Sequence, residues 1–105
     1  AHIDVAQVPV LTGVADLIGQ GMIPGGSRRN LSAVEAMCSF GPLGHEVQIL
    51  LADAQTSGGL LLAVDEPLEA ALHQALEDVS TPGWTIGRIV ERSFEHGPSG
   101  TITTS

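Results

Sequence analysis

An uninterrupted apolar run followed by an amphipathic helix is the feature that most limits the folds open to this chain. Residues 60–64 read Leu-Leu-Leu-Ala-Val, and a run this short and uniformly apolar is typical of a strand covered on both faces. After it, Asp65 can cap a helix that has Pro67 in its first turn. The apolar stripe of that helix comprises Leu68, Ala71, Leu72, Ala75, Leu76 and Val79. The sequence therefore predicts a buried strand and a helix packed on its sheet.

Weaker signals predict the remaining elements. Further strands are predicted at residues 3–5, 85–90 and 101–104, and further helices at residues 12–20 and 45–52. The helix over 12–20 is expected to be capped by Thr12 and ended by Gly21. This order of elements predicts an α/β (α+β) fold in which residues 1–105 form a single domain, with one sheet of about four strands and helices packed on it.

Other segments are predicted to be irregular. Pro24, Gly25 and Gly26 interrupt any helical pattern, so residues 22–30 are predicted to form a loop. Residues 40–44 also read as a loop and residues 97–100 as a turn, whereas residues 31–39 fit no element clearly.

The charge balance excludes two classes of partner. The chain of 105 residues carries 12 acidic side chains and four arginines but no lysine, for a net charge of −8. Nucleic acids and anionic membranes both require a cationic surface, so we expect neither as a partner. With 43% hydrophobic and 15% charged residues, the composition also differs from that of a disordered acidic tail.

Cysteine usage and the termini bear on the compartment. Cys38 is the one cysteine, which rules out an internal disulfide and favours a reducing compartment. The first residues lack the basic and apolar regions of a signal peptide, and no apolar stretch is long enough to span a bilayer. We therefore expect a cytoplasmic protein. Because the chain opens on strand-like residues without Met, we interpret it as a piece of a longer protein, although removal of an initiator Met before Ala1 would look the same.

Several reaction classes are excluded by residues that the chain lacks. A Walker P-loop requires a lysine, and no pair among the four histidines and Cys38 has the spacing of zinc ligands. Residues 45–46, His-Glu, resemble the start of a metalloprotease helix, but Ile49 stands where the second histidine belongs. Ser57 lacks a nucleophile elbow because Gln55 replaces its first glycine. We expect no catalytic residue and no metal ligand in this chain.

The first candidate binding segment is residues 24–30, Pro-Gly-Gly-Ser-Arg-Arg-Asn. Its candidate phosphate- or anion-binding residues are Gly25, Gly26, Ser27, Arg28, Arg29 and Asn30. Glycines let backbone N–H groups approach a ligand, the hydroxyl and the amide offer hydrogen bonds, and adjacent arginines match phosphate oxygens. A solvated turn whose arginines pair with nearby acids explains the same residues equally well.

The second candidate segment is residues 53–59, between a predicted helix and the predicted buried strand. Its candidate anion-binding residues are Gln55, Thr56, Ser57, Gly58 and Gly59. Small polar residues beside a buried strand are costly unless a partner satisfies them, although a turn with internal hydrogen bonds is the alternative. Both segments are expected at an edge of the sheet, where ligand groups gather, so we predict that they lie close together.

Together the two segments resemble the C-terminal domain of the selenophosphate synthetase (selenide, water dikinase) family. That family reads much like Val-Pro, a short helix and Pro-Gly-Gly-Thr-x-x-Asn, matched here by residues 8–9 and 24–30. Its later run Asp-Pro-Gln-Thr-Ser-Gly-Gly-Leu-Leu, the most specific part, is matched by residues 53–61, and its closing Ile-Gly strand and terminal hairpin by residues 86–89 and 97–104. Ser27 replaces the family's usual Thr and keeps its hydroxyl. Ala54 replaces the usual Pro, which relaxes the backbone constraint on Asp53.

The resemblance implies a fold like the C-terminal domain of aminoimidazole ribonucleotide synthetase, in a fragment whose ATP-binding N-terminal domain is absent. The family makes selenophosphate, AMP and phosphate from selenide, ATP and water with Mg2+. The resemblance implies that ATP and Mg2+ bind mainly outside this region. It further implies the N-terminal domain as partner and a homodimer of the full-length enzyme. The catalytic Cys or selenocysteine, its lysine and the metal-binding aspartates are implied upstream, since neither Cys38 nor Asp53 lies in those motifs. The fragment alone is expected to be inactive.

Two other interpretations stay open. The chain can be the corresponding domain of another superfamily member with a different substrate, although residues 55–59 disfavour this because the purine enzymes differ there. It can also be a small non-catalytic module for anion binding or oligomerisation. The apolar composition and low charge content lead us to expect that the isolated chain associates with itself.

Overall fold

A computed structural model describes residues 1–91 and 102–105 of the chain. The helices are α1 (Val14–Gly19), α2 (Gly25–Val34), α3 (His45–Leu51) and α4 (Glu69–Asp78), with 3-10 turns at Val5–Gln7 and Glu66–Leu68. The strands are β1 (His2–Ile3), β2 (Cys38–Ser39), β3 (Gly87–Arg88) and β4 (Ile102–Thr104). The turn predicted at 97–100 lies outside the described residues. None of the described helices is both long and apolar enough to cross a membrane.

The four strands form one mixed sheet in the order β2-β4-β1-β3. β4 lies parallel to both β1 and β2, whereas β3 runs antiparallel to β1. His2 forms hydrogen bonds through both ring nitrogens, to the hydroxyls of Thr103 and Ser105 at 2.9 Å each, and so ties the first strand to the last. The α/β fold with one sheet of about four strands is confirmed.

The core lies among the first three helices. Ile18 of α1, Leu31 of α2 and Ile49 of α3 are the buried apolar residues of the described chain. Partly buried neighbours complete this cluster: Val14, Ile23, Phe40, Leu50 and Ala52. The helices predicted at 12–20 and 45–52 are confirmed as α1 and α3, which are slightly shorter than predicted. Gly21 follows the end of α1 with a left-handed φ of 79°. The expected cap at Thr12 is wrong, because Gly13 occupies the N-cap position of α1.

The predicted loop at residues 22–30 is wrong, because α2 begins at Gly25. Pro24 adopts an extended conformation just before the helix, where its fixed φ suits a helix start. Each glycine in a helix costs about 1 kcal/mol relative to Ala. Burial of Leu31 and Ser27 at the other positions of the helix offsets this cost.

The predicted strand at residues 60–64 is also wrong. The segment has no regular secondary structure, and its side chains are exposed, with Leu60 90% and Leu61 74% accessible. Within the described residues, Cys38–Ser39 pairs with β4 at one edge of the sheet and Gly87–Arg88 with β1 at the other. After this segment, Asp65 makes no side-chain cap, and a 3-10 turn containing Pro67 precedes α4.

Gly87 is required by the close approach of β3 to β1. A Cβ at this position would meet the carbonyl oxygen of His2 and would lie 3.0 Å from the Cα of Ile3. Both contacts are with backbone atoms of the adjacent strand, so no side chain can rotate away to relieve them.

Gly87→Ala should therefore lower the free energy of unfolding by about 2–3 kcal/mol, the cost of overpacking a rigid site. Gly19→Ala is the matched control, because a Cβ there meets nothing within 4 Å and Ala favours the helix. Urea unfolding followed by circular dichroism measures both. Equal stability of the two variants would show that β3 does not approach β1 this closely.

Candidate functional site

Ser27 lies in the first turn of α2 and is fully buried. Its hydroxyl donates a hydrogen bond to Oδ1 of Asp53 at 2.7 Å and accepts one from the backbone N–H of Ala54 at 3.2 Å. The hydroxyl thus uses both its donor and its acceptor capacity. This pair of bonds joins the first candidate segment to the start of the second.

Asn30 lies one turn further along α2 and makes a second link to the same region. Its Nδ2 donates to the carbonyl oxygen of Ala52 at 3.1 Å. Ala52 is the C-cap residue of α3, and the last carbonyls of a helix lack intrahelical partners. Ser27 and Asn30, three residues apart on one face, therefore hold the start of α2 against the end of α3.

Gly26 allows this close contact. A Cβ on Gly26 would lie 2.7 Å from the Cβ of Ala54, which is closer than real Cβ atoms pack. Any larger residue at position 26 would push residue 54 away and stretch the Ser27 hydrogen bonds. The glycine thus has a packing role here, in addition to any role towards a ligand.

The remaining candidates of the second segment extend away from α2. Gln55, Thr56, Ser57, Gly58 and Gly59 are all exposed. A Cβ on Gly58 would lie 2.6 Å from Oε1 of Gln55, so this part folds closely on itself. The prediction that the two segments lie close together is confirmed at residues 53 and 54, whereas residues 55–59 make no hydrogen bond to α2 in the described chain.

The two arginines of α2 are exposed and unpaired in the described structure. No ion pair joins Arg28 or Arg29 to a described carboxylate. Asp53, the carboxylate bound to this helix, accepts its bond from Ser27 instead. No side-chain hydrogen bond from Pro24 caps the start of α2. The positive end of the helix dipole is therefore not offset there, and it adds to the positive charge of the two arginines.

A second polar cluster, which the sequence did not predict, joins α4 to the chain before β3. Nε2 of His73 lies 3.0 Å from Oγ1 of Thr85, and that hydroxyl donates to the carboxylate of Glu69. Glu69 and His73 are spaced by one helical turn, but Thr85 is distant in sequence, so no local pattern could indicate the cluster. His73 is partly exposed.

Metal and thiol chemistry find little support in the described residues. No group of three His, Cys, Asp or Glu side chains among them is placed to hold a metal ion. Cys38 lies half-buried in β2, and desolvation raises the pKa of its thiol. A raised pKa lowers the thiolate fraction at neutral pH, and the thiolate is the reactive form. The arrangement fits a packing role for this side chain.

Comparison with known proteins finds similar proteins that share one name. No protein-family model matches the chain. The selenide, water dikinase of Haemophilus ducreyi is 36% identical over 93 residues, which are 89% of this chain and 26% of the relative. That of Nitratidesulfovibrio vulgaris is 38% identical over 94 residues, 86% of this chain and 26% of the relative. That of Porphyromonas gingivalis is 49% identical over 77 residues, 70% of this chain and 22% of the relative.

The chain spans about a quarter of the length of these curated relatives, 26% for the first two. The similarities confirm the resemblance that residues 24–30 and 53–61 carry: the chain matches a region of the selenide, water dikinases, as expected of a C-terminal domain of selenophosphate synthetase.

Proposed function

We propose that this chain is the C-terminal domain of an ATP-dependent selenophosphate synthetase, a cytoplasmic phosphotransferase that converts selenide, ATP and water to selenophosphate, AMP and phosphate. The similarity to selenide, water dikinases over most of the chain carries the proposal. The contact of Ser27 with Asp53 and Ala54 supports it, because two segments matched from the sequence alone meet in space.

The described residues do not fit a complete site for ATP and Mg2+. Mg2+ prefers carboxylate and phosphate oxygens, and no group of three His, Cys, Asp or Glu side chains among the described residues is placed to hold a metal ion. The chain also contains no lysine, a residue that commonly binds nucleotide phosphates. We therefore assign ATP and Mg2+ mainly to an N-terminal domain outside residues 1–105. The resemblance to the selenide, water dikinases further implies that this N-terminal domain is the partner of the chain and that the full-length enzyme is a homodimer.

Within that enzyme, we assign an anion-binding role to the start of α2 and the adjoining segment 55–59. Arg28 and Arg29 add two charges that pair with no described carboxylate, beside the positive end of a helix. The chain as a whole has a net charge of −8 and repels anions. The local positive charge at the start of α2 attracts them in spite of this. Arginine forks bind phosphate oxygens in a bidentate manner, so the phosphates of ATP or of the products are the matching ligand class.

Replacing both arginines in the full-length enzyme tests this role. Arg28→Ala with Arg29→Ala should raise the KM for ATP by about 10-fold or more, since a hydrogen bond to a charged group contributes roughly 1.5–3 kcal/mol. Arg88→Ala is the matched control, because Arg88 is also exposed but lies on β3. An unchanged KM in the double variant would contradict the anion role and leave the domain assignment intact.

A further inference from the structure

We infer that Asp53 determines which anions bind at the start of α2. Its carboxylate favours oxyanions that carry a hydroxyl, such as hydrogen phosphate, and disfavours fully ionised oxyanions such as sulfate. The inference rests on the anion-binding role proposed above for Arg28, Arg29 and the adjoining residues. It adds to that site a specificity-determining residue whose charge is opposite to that of the arginines.

The guanidinium group of Arg29 folds back over the first turn of α2. A Cβ on Gly25 would lie 3.5 Å from Nη1 of Arg29, and a Cβ on Gly26 would lie 4.0 Å from Nη2. The N–H groups of these two glycines have no acceptor within the helix, and no described residue accepts a hydrogen bond from them. The cation and the two N–H groups therefore lie together, where one oxyanion can contact all three.

Asp53 borders the same place from the adjoining segment. The Cβ position of Gly26, 4.0 Å from Nη2 of Arg29, is also 2.7 Å from the Cβ of Ala54. Asp53 directly precedes Ala54, is exposed, and accepts a hydrogen bond at Oδ1 from Ser27 in the same turn of α2 at 2.7 Å. No described donor binds its other oxygen, Oδ2. An anion held by Arg29 therefore has a carboxylate with a vacant acceptor as its neighbour.

A carboxylate beside an anion site discriminates between anions by their protons. An ionised carboxylate accepts hydrogen bonds but cannot donate one. An oxyanion with a hydroxyl can donate to Oδ2 of Asp53 while its other oxygens bind Arg29. A fully ionised oxyanion has no proton to donate and meets the carboxylate as a like charge, which lowers its affinity. Since inorganic phosphate keeps a proton at neutral pH and sulfate has none, the site should prefer phosphate to an anion of the same shape.

NMR titration of the 105-residue chain with inorganic phosphate and with sulfate, at neutral pH and constant ionic strength, tests the inference. The amide resonances of Gly25 and Gly26 report binding at this site. We expect phosphate to bind at least about 10-fold more tightly than sulfate, the effect of one hydrogen bond to a charged group. Asp53→Asn keeps an oxygen that can accept from Ser27 but replaces the other oxygen with a donor. It should therefore weaken phosphate binding, strengthen sulfate binding and reduce the preference to about 2-fold or less.

Asp65→Asn is the matched control, because Asp65 is also exposed and makes no side-chain cap. It removes the same charge elsewhere and should leave the preference for phosphate unchanged, while circular dichroism checks that each variant keeps its fold. If neither anion shifts the two glycine resonances, the anion-binding role is wrong and this inference fails with it. If the two anions bind equally well, or if Asp53→Asn keeps the wild-type preference, the role of Asp53 is overturned and the anion-binding role stands.

Discussion

Purified alone, the 105-residue chain should release no AMP from ATP in the presence of selenide, whereas the full-length protein should do so in the same assay. Phosphoryl transfer depends on metal ions that bridge the phosphates and on cationic groups that stabilise the developing charge. Among the described residues, no group of three His, Cys, Asp or Glu side chains is placed to hold a metal ion, and the chain has no lysine. Two exposed arginines can bind an anion but cannot replace these parts.

The assay requires a control for contaminating enzyme. A mock purification from cells without the expression plasmid sets the background rate. Selenide-dependent AMP release above that background, which copurifies with the chain through a second column, would contradict the assignment of the reaction to residues outside this chain. Such a result would also require catalytic groups that neither residues 24–30 nor residues 53–59 supply.

The helices that the sequence predicted well are those with apolar periodicity. α3 and α4 carry apolar residues at spacings of three and four, and such spacing persists whatever the tertiary context. The start of α4 at Glu69 differs from the prediction because a 3-10 turn with Pro67 intervenes. For these two helices, apolar spacing indicated the type of element correctly but not every end residue.

The helix and the strand that were missed depend on tertiary contacts. α2 begins with two glycines, which local rules read as a loop, and only burial of Leu31 and Ser27 shows why the helix forms. β2 has two residues, Cys38 and Ser39, too few for any alternation to be visible. Its position is set by parallel pairing with β4, more than 60 residues later in the sequence.

The candidate site was predicted in outline but not in its bonds. The glycines and hydroxyls of residues 24–30 and 53–59 indicated two segments that lie together, and the structure joins them at Ser27. No local pattern favoured Asp53 and Ala52 as the bonded partners over Gln55 or Thr56. That choice follows from where α3 ends, because its last residues bring Ala52 and Asp53 beside α2.

Ser27→Ala should lower the free energy of unfolding by about 2 kcal/mol, the second large effect that we expect. The substitution removes a hydrogen bond to the carboxylate of Asp53 and one from the N–H of Ala54. Hydrogen bonds to charged groups contribute roughly 1.5–3 kcal/mol, and partial exposure of Asp53 lets water replace some of this. Chemical unfolding monitored by circular dichroism gives the difference.

Ser32→Ala is the matched control, because it makes the same substitution at an exposed position of the same helix. It should change stability by no more than about 0.5 kcal/mol, in the stabilising direction because Ala favours helices. Adding Asp53→Ala to each variant completes a double-mutant cycle, which should show a coupling of about 1 kcal/mol between Ser27 and Asp53 and none between Ser32 and Asp53. Additive effects at Ser27 and Asp53 would mean that this bond does not hold the two segments together, and the link would then depend on Asn30 and the packing of Gly26 against Ala54.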